Sequence, residues 1–224
     1  MTDASDGTPL APDLIARAAA LATSTLANAL DDAGLHASVM PTLKAIAPGF
    51  RFAGPAVTVK EIAGDYGTFG SADFKVGAIV DAAAAGDVIV VDAGGARCST
   101  WGGTASFAAR LKGIAGLVVD GGVRDLEEIV ERAFPVFARH VVPTTGRMRL
   151  KVEAIGVPVV VDGVRVAPGD LVVADGTGVV CLPRERAAAI VARAEALARD
   201  DAAAIADLEA GLTLIEAMAK YKRI

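Results

Sequence analysis

The chemistry in this chain centres on Arg124 and Asp125, which follow a short apolar run and the pair Gly121-Gly122, and on Gly102-Gly103-Thr104 upstream. An arginine offers a planar fork of donors to a carboxylate or developing oxyanion. The free N–H groups at a helix start suit an anion. An aspartate is a hard oxygen donor, and Mg²⁺ often uses only one or two carboxylates while keeping its waters. Plainer readings stand beside these. Asp125 and Glu128 spell D-x-x-E, a capping box ahead of a helix. Arg124 alone fits a surface ion pair, and Gly102-Gly103 alone fits a turn. The two roles of Asp125 coexist only if different atoms serve each.

Other reactive types lead less far. His36 and His140 lie far apart, so a histidine-rich zinc site is not expected, and any metal would be held by oxygen. Cys98 has no histidine nearby to activate it as a nucleophile. Asp92, Asp120 and Asp175 each end an apolar run and read as turn formers, with Asp92 the reserve acid for a pocket. Arg147, Arg149 and Lys151 read as a solvated edge or, second, as a clamp on a distal substrate carboxylate. Trp101 reads as packing.

The elements that must position Arg124 and Asp125 are legible around them. Residues 88–91 form a β-branched apolar run typical of a strand buried on both faces. Residues 92–103 are small, polar and Gly-rich, 104–112 have helical composition, and 117–119 are a second apolar run that 120–125 leave as a loop. Strand, helix and strand make a parallel βαβ unit whose loops emerge at one sheet edge. There Arg124, Asp125 and the Gly102-Gly103-Thr104 turn converge. Before this unit, one or two helices span 12–30, with a break at Thr23-Ser24-Thr25 and a cap from Ser24 or Thr25 on a helix over 26–33. A strand at 56–59 and a short helix at 78–85 follow.

After it, strands are expected at 135–138, 157–162, 171–174 and 178–182, with a basic loop or edge at 144–151. An Ala-rich helix over 184–208 and a terminal helix over 213–220 complete the chain. Gly86-Asp87 and Gly169-Asp170 each lead into an apolar strand closed by aspartate, which raises an internal duplication as one explanation. Many short strands suggest a sheet packed on a sheet, with helices covering one side.

Composition bounds the function. The chain has 224 residues, 53% hydrophobic and 22% charged, enough for one large core. Its formal charge of −5 and lack of a basic stripe argue against nucleic acid. No apolar stretch suits a membrane span. Residues 1–12 read as a disordered polar tail and not as a signal peptide. Two cysteines without metal-type spacing fit reduced thiols and a cytoplasmic location.

Taken in order, Trp101-Gly102-Gly103, Asp120-Gly121-Gly122-Val123-Arg124-Asp125, Pro168-Gly169-Asp170 and Asp175-Gly176-Thr177-Gly178-Val179-Val180 resemble the RraA-like family. That family includes regulators of ribonuclease E activity and 4-hydroxy-4-methyl-2-oxoglutarate aldolases. The similarity runs over about 23–211 and includes the strand Ala53-Gly54-Pro55-Ala56-Val57-Thr58. It implies an α/β fold with a β/β/α swivelling-domain-like, three-layer architecture, as a single domain over 13–224 with C-terminal helices. It also implies a homotrimer or homohexamer with active sites between subunits.

The resemblance further implies a metal-dependent lyase on small 2-oxo acids. This would be a class II pyruvate aldolase, an oxaloacetate decarboxylase, or both, working through a metal-stabilised pyruvate enolate. Asp125 would ligate Mg²⁺ or Mn²⁺, and Arg124 would bind the 2-oxo acid. Gly102, Gly103, Thr104 and Ala105 would bind the substrate, the last three offering backbone N–H groups to its carboxylate. Asp201 is the candidate for an acid given by a neighbouring subunit. The chain departs from the family at Gly103, where the aldolases often carry an acid that shuttles a proton. Decarboxylation needs no base on a hydroxyl and survives that loss. The alternative is a non-catalytic, protein-binding regulator of a ribonuclease, and aspartate at 125 favours the metal-dependent branch.

Overall fold

Pro12 opens the first helix of the chain, where its fixed φ is pre-organised and its missing N–H costs nothing. The computed structural model describes residues 9–221. Most of the tail expected over 1–12 therefore lies outside the described residues, and Pro12 itself is helical. Helices α1 (Pro12–Ala20) and α2 (Thr23–Asp32) are followed by the short strands β1 (Val39–Met40) and β2 (Lys44–Ala45). The long strand β3 (Phe52–Ala63) leads to α3 (Val76–Ala82), β4 (Val88–Asp92) and β5 (Ser99–Trp101). Next come α4 (Gly103–Lys112), β6 (Gly116–Val123), α5 (Leu126–Glu131), β7 (Val136–Val141) and β8 (Leu150–Ile155). The hairpin β9 (Val159–Val161) and β10 (Val164–Val166) precedes β11 (Leu171–Asp175), β12 (Gly178–Leu182), α6 (Ala187–Glu209) and α7 (Leu214–Tyr221).

One ten-stranded sheet runs β1-β12-β11-β3-β4-β6-β7-β2, with β5 beside β6 and β8 beside β3. Strand β3 is its pivot. Its first part pairs antiparallel with β11, and its middle pairs parallel with β4. The parallel run continues through β6 and β7. Alternation along the strands sorts side chains into different cores. On β4, Ile89 and Val91 face a core with Trp101, Ile129 and Phe134, while Val88 and Val90 face another with Phe137, Val172 and Cys181. On β11 and β12, Val173 and Val180 turn to a third core with Leu26, Leu30 and Ile190.

The two halves of the sheet therefore stack face to face, a β/β pair carrying α3, α4 and α5 on one outer face. Helices α1, α2 and α6 cover the other outer face, so helices lie on both sides and not on one as expected. The 23-residue α6 accounts for this, because Ile190, Val191, Ala194 and Leu197 need apolar cover. Among the described residues, no helix is long and apolar enough to cross a membrane.

Other local expectations are corrected. Neither Ser24 nor Thr25 caps α2. The helix starts at Thr23, whose N–H and Oγ1–H donate to Asp175 at 2.9 and 2.6 Å, so the cap comes from a distant strand end. Strand β6 continues through Asp120 to Val123 where a loop was expected. Gly121 and Gly122 leave room for close neighbours: a Cβ on either would lie 2.9 Å from Ala93 Cβ or 2.7 Å from the Cys98 carbonyl oxygen. Strand β8 occupies part of the expected basic loop or edge and pairs with β3. The two Gly-Asp repeats share turn chemistry: Asp87 accepts from Ala84 N–H and Asp170 from Ala167 N–H, both at 2.7 Å. Their strands have different settings, since β4 is parallel to both neighbours and β11 antiparallel to both.

Candidate active site

Strand β6 delivers Arg124 and Asp125 to its C-terminal edge, and β5 delivers Gly102 and the start of α4 beside them. One backbone bond ties the two arms together, with Arg124 N–H donating to the Trp101 carbonyl at 3.0 Å. Trp101 anchors this junction as the packing residue expected of it. It is 2% exposed and stacks on Phe134 with ring centroids 6.1 Å apart. Its Nε1–H donates to Ser106 Oγ at 2.9 Å, and that hydroxyl donates to the Gly102 carbonyl at 3.0 Å.

Asp125 adopts a left-handed backbone, φ 58° and ψ 47°, uncommon outside glycine and least costly for Asn and Asp. Its side chain makes no cap bond to α5, which it precedes. Its Oδ2 instead accepts the Gly103 N–H at 3.1 Å, and Arg124 Nε lies 3.4 Å from the same oxygen. The capping-box reading is therefore corrected: the carboxylate caps the neighbouring helix, α4. The Gly103 N–H is accordingly taken, which leaves Thr104 and Ala105 to present unpaired N–H groups in the first turn.

Both glycines are dictated by close approach. A Cβ on Gly102 would lie 2.5 Å from Asp125 Oδ2 and 3.2 Å from Arg124 Cγ. A Cβ on Gly103 would fall onto Glu128 Oε2 and sit 2.8 Å from Glu128 Cβ. The acid missing at 103 is thus excluded by the local packing as it stands, because Glu128 fills its place.

Gly102, Thr104, Ala105, Arg124 and Asp125 line one cavity of about 400 Å³, with Gly103 buried behind its wall. This volume lies in the ordinary range for small-molecule sites. The opposite wall, where Phe74, Val76, Val80 and Asp81 line the same space, has no signature in the local sequence pattern.

Glu61 was also missed. It is 1% exposed, accepts the Thr100 hydroxyl at 2.6 Å, and leaves Oε2 without a partner. Burial pushes its carboxyl up to about 7, against the pull of the Thr100 bond. Thr100 lines the cavity, so this acid sits one hydroxyl behind the wall.

The remaining candidates fall elsewhere. Asp92 is held by Lys60 Nζ at 2.8 Å and Gly94 N–H at 3.1 Å and does not line the cavity. Asp120 is bound by Arg139 and by the Asp162 N–H, as a structural acid. Arg149 stacks over Tyr66 and donates to the Thr145 carbonyl, and none of Arg147, Arg149 and Lys151 lines the cavity. Burial pushes the Cys98 thiol up, away from the thiolate a nucleophile needs. Asp201 lies on α6, which packs on α1, α2 and α7, and it does not line the cavity of its own chain.

Among the described residues, no three His, Cys, Asp or Glu side chains gather as a metal cage. Asp125 alone suits a hard, mostly hydrated cation. Its side chain is 35% exposed, and only Oδ2 is engaged by the protein.

Comparison with known proteins places these features in context. The family model described as "RraA-like: Aldolase/RraA" matches residues 23–181. Protein DlpA of Legionella pneumophila is 28% identical over 94% of this chain, but the chain spans only 34% of its length. A Halalkalibacterium halodurans protein with the provisional name 4-hydroxy-4-methyl-2-oxoglutarate aldolase is 32% identical, over 85% of this chain and 86% of the relative. The crystal structure of Streptomyces coelicolor RraAS2, described as an unusual member of the RNase ES inhibitor RraA protein family, superposes with a TM-score of 0.76. It is 28% identical and covers 89% of this chain and 98% of its own. The chain belongs to the Aldolase/RraA family.

Proposed function

We propose that this protein is a divalent-metal-dependent carbon–carbon lyase acting on small 2-oxo acids, by retro-aldol cleavage, oxaloacetate decarboxylation, or both. One observation carries the reading: Arg124, Asp125 and the first turn of α4, with its unpaired N–H groups, line a single cavity. Asp125 would hold Mg²⁺ or Mn²⁺. When bound, the cation supplies Lewis-acid stabilisation of charge on the oxo acid. The N–H groups of Thr104 and Ala105 receive the substrate carboxylate, favoured by the helix dipole. Arg124 donates to the oxo-acid end and balances the negative charge left on the three-carbon fragment as the bond beyond carbon 3 breaks. Gly102 and Gly103 let Asp125 and Arg124 lie against the helix start. Assembly as a homotrimer or homohexamer belongs to the same reading, with Asp201 of a neighbouring subunit as the candidate second acid.

Two assays test this. Exchange of the pyruvate methyl hydrogens in D₂O, followed by NMR, probes charge stabilisation whatever the rest of the substrate. Exchange above the Mg²⁺-only background, abolished by EDTA and by Asp125→Ala with the circular dichroism unchanged, is expected. Exchange no faster than that background overturns the lyase. Pyruvate release from oxaloacetate and from 4-hydroxy-4-methyl-2-oxoglutarate then separates decarboxylase from aldolase. The second reading, a protein-binding regulator of a ribonuclease, draws on Gly103, which carries no acid of its own where the aldolases of the family often have one. A regulator would bind its ribonuclease unchanged with Asp125→Ala.

A further inference from the structure

The rest of the cavity is built differently from its Arg124–Asp125 edge. Phe74, Val76 and Val80 line it from α3 and the segment before α3, and Ala105 and Ala108 line it from α4. The other polar groups there are mostly neutral hydroxyls, such as those of Thr100 and Thr145. Among the lining residues Arg124 is the one cation, and the charge at the α3 end is negative, Asp81. A second carboxylate carried into this space would lose water and meet no positive partner, while facing an acid. An apolar group would instead gain about fourfold in affinity for each methylene removed from water.

We infer that the substrate of this site is a 2-oxo acid with an apolar tail in place of a second carboxylate, the tail lying between α3 and α4. This rests on the 2-oxo acid reading above and narrows it to aldol cleavage, with oxaloacetate and 4-hydroxy-4-methyl-2-oxoglutarate, which carry a second carboxylate, as poorer substrates than an apolar-tailed acid. In the retro-aldol direction, the substrate is a 4-hydroxy-2-oxo acid. Its C3–C4 bond breaks, the C4 hydroxyl loses its proton, C3 gains one, and pyruvate and an apolar aldehyde or ketone leave. No further reactant is needed.

Trp101 is the only tryptophan of the chain and lines the cavity, so its fluorescence reports occupancy. The full chain with Mg²⁺ is titrated with pyruvate, 4-methyl-2-oxopentanoate and 2-oxoglutarate. The branched acid should bind at least about tenfold more tightly than either of the others, from two or three buried carbons. Ala108→Lys adds a cation at an exposed position of α4 and should bring 2-oxoglutarate to within a few-fold of the branched acid. Two results overturn the inference: 2-oxoglutarate binding the unaltered protein as tightly as the branched acid, or Ala108→Lys leaving the ratio unchanged. If metal-dependent methyl exchange of pyruvate persists alongside either result, the lyase reading survives and the apolar tail alone is lost. Binding of none of the three acids, without exchange, overturns both.

Discussion

At the scale of single residues, Asp125 combines three demands that few side chains meet together. It must tolerate φ 58°, accept a hydrogen bond from Gly103 N–H, and carry charge. Asparagine meets the first two only. Asp125→Asn should therefore unfold within about 0.5 kcal/mol of the parent in urea, while the metal-dependent turnover proposed above collapses. Asp125→Val, which cannot sit comfortably at positive φ, should lose about 1–2 kcal/mol in the same titration.

Glu61 makes a different prediction. Its folded-state carboxyl is pushed up to about 7 from an ordinary 4.5, so the folded protein keeps a proton that the unfolded chain releases. Its contribution is fully present below pH 4.5 and fades as the pH climbs towards 7, by up to about 3 kcal/mol. Glu61→Gln should flatten that slope in urea unfolding measured across this window. Asp175 works in the opposite sense and in a lower window. Burial opposes its charge, but the Thr23 and Thr177 hydrogen bonds hold its carboxyl below the usual range. That stability is present above about pH 4 and lost on acidification.

At the scale of elements, the site is a contact between the start of α4 and the turn into α5, and Glu128 closes it over Gly103. Gly103→Ala should destabilise the parent markedly and the Glu128→Ala background less. A coupling of about 1 kcal/mol or more is expected from a double-mutant cycle in denaturant. The start of α2 depends in the same way on another element. Asp175→Ala should cost about 1–2 kcal/mol, because Thr23 N–H and Oγ1–H lose their acceptor together.

These cases mark what the sequence could and could not carry. Residues 88–125 announced strand, Gly-rich turn, helix and strand through local pattern, and that pattern alone brought the Gly102-Gly103-Thr104 turn, Arg124 and Asp125 to one edge, while Ala105 came from the family resemblance. Strand β5 is three residues long, too short for a period, and exists through its pairing with Gly122 and Val123. Strand β8 did show alternation, Leu150-Lys151-Val152-Glu153, but its basic residues favoured an edge reading. Glu61 lies where the buried phase of β3 changes from Thr58 to Val59, near an irregularity against β8. No local pattern foretells a glutamate turning inward there. The Phe74–Asp81 wall was invisible for a similar reason, since α3 faces the cavity only through its contact with α4.

At the scale of the whole molecule, exposed apolar side chains remain on the helices that frame the site. On α4, Phe107 is 44% and Leu111 74% exposed, and on α5 Val130 is 44% exposed. An assembly of three or six chains, as proposed, would cover such residues. Light scattering coupled to size exclusion should therefore give three or six chain masses, and Leu111→Asp should lower that number if this face is buried between copies. A single-chain mass for the unaltered protein would remove the neighbouring-subunit role of Asp201.

Strand β3 has a consequence for the order in which the chain is made. Its parallel partner β4, and β6 and β7 that extend the parallel run beyond it, are complete once residue 141 is synthesised, and Arg124 and Asp125 follow directly on β6. Of its antiparallel partners, β8 follows at 150–155, but β11 arrives only at 171–175, far along the chain, and brings the acceptor for the start of α2. On a translating ribosome the edge bearing Arg124 and Asp125 can therefore pair early, whereas α1 and α2, synthesised before it, must wait with their apolar faces uncovered for β11 and β12. The most exposed stage of biogenesis then belongs to α1 and α2, where a chaperone would find its apolar target.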